Sequence, residues 1–95
     1  MDLELKGKKA IVTGGSKGIG RAVAETLAKE GADVAICARN EDEVNSAVEA
    51  LSSHGTKVVG GVADVADADS YKAWISSAAA DLGGVDLFVA NVSAG

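Results

Sequence analysis

The chain has 95 residues with 14 acidic and 9 basic side chains, a formal charge of −5. That length allows a single domain with fewer strands than a complete doubly wound nucleotide-binding fold needs, and the acidic balance argues against a nucleic-acid surface, where phosphates are held by clustered Lys and Arg. A lone cysteine, Cys37, and a lone histidine, His54, exclude an intrachain disulfide and a multi-ligand zinc site, and no stretch has the length of a membrane span or the pattern of a leader, so a soluble, cytoplasmic protein without a metal or membrane partner is expected.

The apolar fraction is 47% but the aromatic share only 3%, so the core must be built from Ala, Val, Ile and Leu. Residues 8 to 13, KKAIVT, pass from charge into a short apolar run that ends at a glycine and predict a buried strand. From Gly18 to Glu30 a helix is expected, with Ile19, Ala22, Val23, Leu27 and Ala28 on its apolar stripe and Gly31 as its C-terminal stop. Residues 33 to 38, DVAICA, lack period-two alternation, as a parallel strand covered on both faces should. Asn40 followed by Glu43 predicts the N-cap of a second helix carrying Val44, Ala47, Val48 and Leu51 inward up to the His54-Gly55 stop.

A third strand spans Lys57 to Val62, its end blurred by Gly60 and Gly61. Asp67 and Asp69 then favour the start of a third helix with Tyr71, Trp74, Ile75, Ala78, Ala79 and Leu82 on one side, before Gly83-Gly84 and a fourth strand over residues 85 to 90. The order β-α-β-α-β-α-β, with right-handed crossovers, makes an α/β fold: a Rossmann-like doubly wound parallel sheet in the strand order 3-2-1-4, incomplete on its C-terminal side. Residues 1–95 read as one partial nucleotide-binding domain. Ligands of such sheets lie beyond the carboxyl ends of the strands where the order reverses, which singles out the segments after Thr13 and Ala90.

The first of these, TGGSKGIG at residues 13 to 20, joins a strand directly to a helix. Gly14 permits a sharp turn, Gly18 permits close approach of a dinucleotide backbone, Gly20 permits tight packing of helix on sheet, and free N–H groups at the helix start face a pyrophosphate. A glycine-rich turn without a ligand is the plainer reading of such a loop. A phosphate-binding P-loop fails, because Arg21-Ala22 stands where Lys and then Ser or Thr are required.

Thr13-Gly14-x-x-x-Gly18-x-Gly20 resembles the cofactor loop of the short-chain dehydrogenases/reductases (SDR family), and the resemblance extends over nearly the whole chain as its N-terminal cofactor-binding half. Asp64-Val65 after the third strand is similar to that family's pair at the adenine ring, and Asn91 after the fourth is similar to the second Asn of its Asn-Asn-Ala-Gly motif. Ala90-Asn91-Val92-Ser93 departs from that motif. Asn91 remains a cofactor contact or a side chain bonded to its own backbone, and the role of Ser93 stays open. The cofactor-binding set implied is Gly14, Ser16, Lys17, Gly18, Ile19, Gly20, Arg39, Asp64, Val65 and Asn91, Ser16 being read as a phosphate contact.

NAD-binding units of this class place an acidic residue at the end of the second strand to accept from the ribose hydroxyls. Ala38 holds that position here, Asp33 lies at the far end of the strand, and Arg39 and Lys17 can converge on a 2′-phosphate. NADP(H) is therefore expected over NAD(H), although either cation alone could be a solvated surface charge.

The resemblance implies hydride transfer between nicotinamide and a carbonyl or alcohol substrate, catalysed by a Tyr-x-x-x-Lys pair with an upstream Ser. No such motif occurs: Tyr71 is followed four places later by Ile75, and it reads as a packing residue beside Trp74, away from the carboxyl edge. Ser16 has no histidine within reach as a base, and Cys37 reads as core. No catalytic residue is therefore assigned, and the chain alone is expected to bind cofactor at most, as a truncated oxidoreductase whose unpaired fourth strand favours homo-oligomers. The alternative is a non-catalytic nucleotide-binding or interaction module ending naturally at Gly95.

Overall fold

A computed structural model describes residues 5–14, 18–64 and 66–90. Four strands, β1 (Lys9–Thr13), β2 (Asp33–Ala38), β3 (Val58–Val62) and β4 (Leu87–Ala90), alternate with three helices, α1 (Gly18–Lys29), α2 (Glu41–Ser52) and α3 (Ala68–Leu82). All strand pairs are parallel and the sheet order is β3-β2-β1-β4, as the crossover rule requires. The expected strands and helices are all present, with ends shifted by one or two residues where a strand or helix frays.

Local chemistry accounts for the helix ends. The Asn40 side chain accepts from the Glu43 N–H at 3.1 Å to cap α2, and Asp67 does the same from the Ser70 N–H at 3.2 Å for α3. Gly83, in the left-handed region at φ +85°, closes α3 by donating to the carbonyls of Ala79 and Ala80.

The sheet separates two apolar layers. On one face Ala10, Val12, Val34 and Ile36 meet Ala24, Leu27 and Ala28 of α1 and Ala47 and Leu51 of α2. On the other, Ile11 and Ala35 meet Ala78 and Leu82 of α3, with Trp74, Ile75 and Val59 packed beside them. Because β1 and β2 contribute to both layers, their side chains are buried almost without alternation. Cys37 lies in this interior, and burial pushes its thiol pKa up, which suits a packing residue rather than a nucleophile.

The structure sharpens one detail of the sequence reading and changes another. β3 runs through Gly60 and Gly61 to Val62, the end expected for it. A side chain at Gly60 would press on Val44 and Val48 of α2, and one at Gly61 would overlap the Trp74 indole, so both glycines admit helices on opposite faces of the strand. The inward stripe of α1 is also rotated: Ala24 is buried, while Ile19 is 76% exposed and Ala22 also faces out. Ile19, Ala22, Val23 and Thr26 instead line an open apolar groove on the flank of α1.

At the amino edge of the sheet, Asp33 accepts from Lys9 Nζ at 2.6 Å and from the Lys57 N–H at 3.0 Å, tying three strands together. The hydrogen bond from Lys9 holds the Asp33 carboxyl below the usual carboxylate range, against the opposing effect of burial. A carboxylate whose folded pKa is depressed adds stability above its unfolded pKa and loses that contribution as pH falls through the folded value. Asp33→Asn should therefore cost about 1 kcal/mol at neutral pH and flatten the decline in stability below pH of about 4, read by urea denaturation across an acid series. An unchanged acid limb in the variant would show that the pair contributes nothing to pH dependence.

Candidate functional site

The register sets the ends of the strands side by side: Thr13 lies opposite Cys37 and Ala90, and Ala38 opposite Val62. The order reverses between β1 and β4, so the carboxyl edge opens a crevice there. Thr13, fully buried, reaches from β1 to the Val89 carbonyl of β4 at 3.5 Å.

Leaving β1, the Gly14 N–H donates to the Cys37 carbonyl at 2.9 Å, pinning the start of the loop to β2. Gly14 has φ +68° and Gly18 φ +66°, values at which a Cβ is strained. Among the described residues nothing stands within 4 Å of where a Gly18 Cβ would be, whereas Gly20 is buried. The first N–H groups of α1, from Gly18, Ile19 and Gly20, have no acceptor within the helix. Its first turn contains no acidic residue, in contrast to Glu41, Asp42 and Glu43 of α2 and Asp69 of α3. In a chain of net charge −5, no acidic residue of the first turn of α1 compensates its positive dipole end, the kind of helix start that favours an anion.

Ala38 ends β2 partly buried, and the following Arg39 is exposed. Among the described residues no hydrogen bond or ion pair engages Arg39. Asp64 follows β3, and its Oδ1 accepts from the Ala66 N–H at 2.9 Å while its carbonyl accepts from the Asp67 N–H at 2.9 Å. This turn leads into α3 and leaves Oδ2 without a partner among the described residues.

The structure thus brings Gly14, Gly18, Ile19, Gly20, Arg39 and Asp64 to one edge. Ser16, Lys17, Val65 and Asn91 lie outside the described residues. His54 stands beyond the far end of α2, where its Nε2 is 3.6 Å from Glu25 of α1, remote from the loop. The expectation for Tyr71 needs correction in one respect. As the fourth residue of α3 it sits near the carboxyl edge, because every helix of a right-handed β-α unit starts there; it remains half-buried, with Ile75 one turn on. Sequence reasoning passed over Arg21, whose Nε is buried without a hydrogen-bond partner. Its only sequence signal is its position directly after the glycine loop. Among the described residues no group of three His, Cys, Asp or Glu side chains could share a metal ion, and no helix is long and apolar enough to cross a membrane.

A glycine-turned loop that feeds an acid-free helix start at the reversal of a 3-2-1-4 parallel sheet defines a doubly wound α/β protein with a nucleotide-type crevice. The family model described as short chain dehydrogenase matches residues 8–95, and the chain belongs to that oxidoreductase family. It is 49% identical over 86 residues to a glycine betaine reductase of Emericella nidulans, covering 90% of this chain and 7% of that protein. Among solved structures it resembles the L-sorbose reductase of Gluconobacter frateurii complexed with NADPH and L-sorbose, at 38% identity and a TM-score of 0.92, covering 100% of this chain and 36% of the reductase. It also resembles an NAD+-bound xylitol dehydrogenase, at 28% identity and a TM-score of 0.86, covering 90% and 33%. The chain spans about a third or less of the length of these relatives.

Proposed function

We propose that this chain is the cofactor-binding part of an NADP(H)-dependent short-chain oxidoreductase that moves hydride between nicotinamide and a carbonyl or hydroxyl carbon of a small molecule. The observation that carries the cofactor choice is the end of β2, where a carboxylate to accept from ribose hydroxyls is replaced by Ala38 and the exposed Arg39, unpartnered among the described residues. The start of α1 would hold the pyrophosphate on the N–H groups of Gly18, Ile19 and Gly20, with Gly14 setting the turn and Ser16 adding a hydroxyl donor. Lys17 would join Arg39 at the 2′-phosphate, Asp64 Oδ2 and Val65 would flank the adenine, and Asn91 would lie along the cofactor beyond β4. The cofactor supplies the hydride chemistry; the protein orients it and neutralises its phosphates.

These residues include no Tyr-x-x-x-Lys pair, so the 95-residue chain should bind cofactor without turning over carbonyl substrates. The proposal includes self-association in an aqueous, cytoplasmic setting, with the half-exposed Phe88 of β4 as an apolar surface available to a covering element.

Arg39→Ala should weaken NADPH binding by about tenfold or more, about 1.4 kcal/mol, and change NADH binding little, as measured by fluorescence titration. Equal loss for both cofactors would refute the 2′-phosphate assignment. A parent chain that binds neither would instead be the non-catalytic interaction module.

A further inference from the structure

Charges at the two edges of the sheet are treated differently. At the amino edge Lys9 is paired with Asp33 at 2.6 Å and Lys57 donates to the Asp81 carbonyl. At the carboxyl edge neither Arg21 nor Arg39 has a partner among the described residues, and the Arg21 Nε is also buried. Burying an N–H without an acceptor is unfavourable, and a chain with 14 acidic side chains has anions to spare. Two guanidinium groups left unneutralised on one edge call for an anion from outside.

The flank of α1 on which Arg21 stands says which anion. Arg21 lies one turn before Glu25, hence on the same side of the helix, and Glu25 faces His54 beyond the end of α2. Arg21 is therefore on the α2 and β2 side, opposite the groove of Ile19, Val23 and Thr26. Helical side chains lean toward the helix N-terminus, and the N-terminal end of α1 is at the edge where Arg39 leaves β2. In a doubly wound sheet the adenosine half of a dinucleotide lies on the β2 side of β1 and the nicotinamide half on the β4 side.

We propose that Arg21 is a second guanidinium for the adenosine 2′-phosphate, a specificity-determining residue acting with Arg39. This rests on the cofactor reading above. Its Nη nitrogens supply a forked pair of donors that Lys cannot reproduce, and a phosphate there neutralises a guanidinium that no described residue pairs with.

The test uses the full chain with Arg21→Gln and Arg21→Lys, titrated with NADPH and NADH at two salt concentrations. Arg21→Gln should weaken NADPH by about fivefold, leave NADH within about twofold, and lessen the salt dependence of NADPH binding. Arg21→Lys should keep the charge and recover part of the affinity. Thermal midpoints near the parent value show that the fold persists, and a purely structural role would not alter the ratio of the two affinities. Equal weakening of both cofactors, or unchanged NADPH affinity in a folded Arg21→Gln variant, would overturn the proposal. If Arg39→Ala loses the NADPH preference while Arg21→Gln keeps it, the inference about Arg21 fails alone; if the parent binds neither cofactor, both readings fail.

Discussion

Gly61→Val is expected to destabilise the chain by about 1–3 kcal/mol or more, lowering the thermal midpoint by about 4–8 °C for each kcal/mol. A Cβ at Gly61 would overlap Nε1 and Cδ1 of the Trp74 indole, which packs beside Ile11, Ala35, Ala78 and Leu82. That layer has a single helix over it, so swinging the indole outward exposes the largest side chain on the face, and leaving it in place pushes α3 off the sheet. A double-mutant cycle separates this cause from a general intolerance of β3. In a Trp74→Ala background the same substitution should cost clearly less, and strict additivity would show that the indole is not what forbids a side chain.

Leu51→Ala is expected to cost about 2–5 kcal/mol, enough to leave much of the chain unfolded, since a domain of this size has a small margin. Leu51 is fully buried in the last part of α2, within the layer shared by Val12, Val34, Ile36, Leu27 and Ala47. Removing three carbons there loses transfer free energy and leaves a void that sheet and helices can only partly close. Leu51→Met, which conserves volume, should cost less than about 1.5 kcal/mol. Urea denaturation should show a lower midpoint with an unchanged slope; a loss below about 1 kcal/mol for Leu51→Ala would mean that α2 is not anchored through this residue. Because α2 begins directly after Arg39 and its cap Asn40, loosening it should also blur the NADP(H) preference proposed above.

Much of the backbone at the carboxyl edge was legible from residue types alone. The turn glycines Gly14 and Gly18 do have positive φ, Asn40 and Asp67 do cap helices, and the unbroken apolar run of β2 is buried on both faces. Arg39 at the end of β2 followed from counting along the strand. Less legible were the face of α1 that turns inward and the height of Tyr71. The apolar residues of α1 surround much of the helix, so periodicity alone could not choose between Ile19 and Ala24.

The order of elements, the strand order and the position of the acid-free helix start are determined by the sequence itself, because backbone freedom, capping and burial runs depend on neighbours in the chain and crossover handedness does the rest. What only the tertiary structure decided are features set by distant residues facing one another. Gly60 and Gly61 blurred the end of the third strand in the sequence, and their reason appears only with α2 and α3 on either side of them. Arg21 served in the sequence only to exclude a P-loop, and its buried Nε without an acceptor among the described residues appeared only in the packed chain. A side chain's own chemistry is written in the sequence, whereas the presence or absence of its partner is a property of the packed chain.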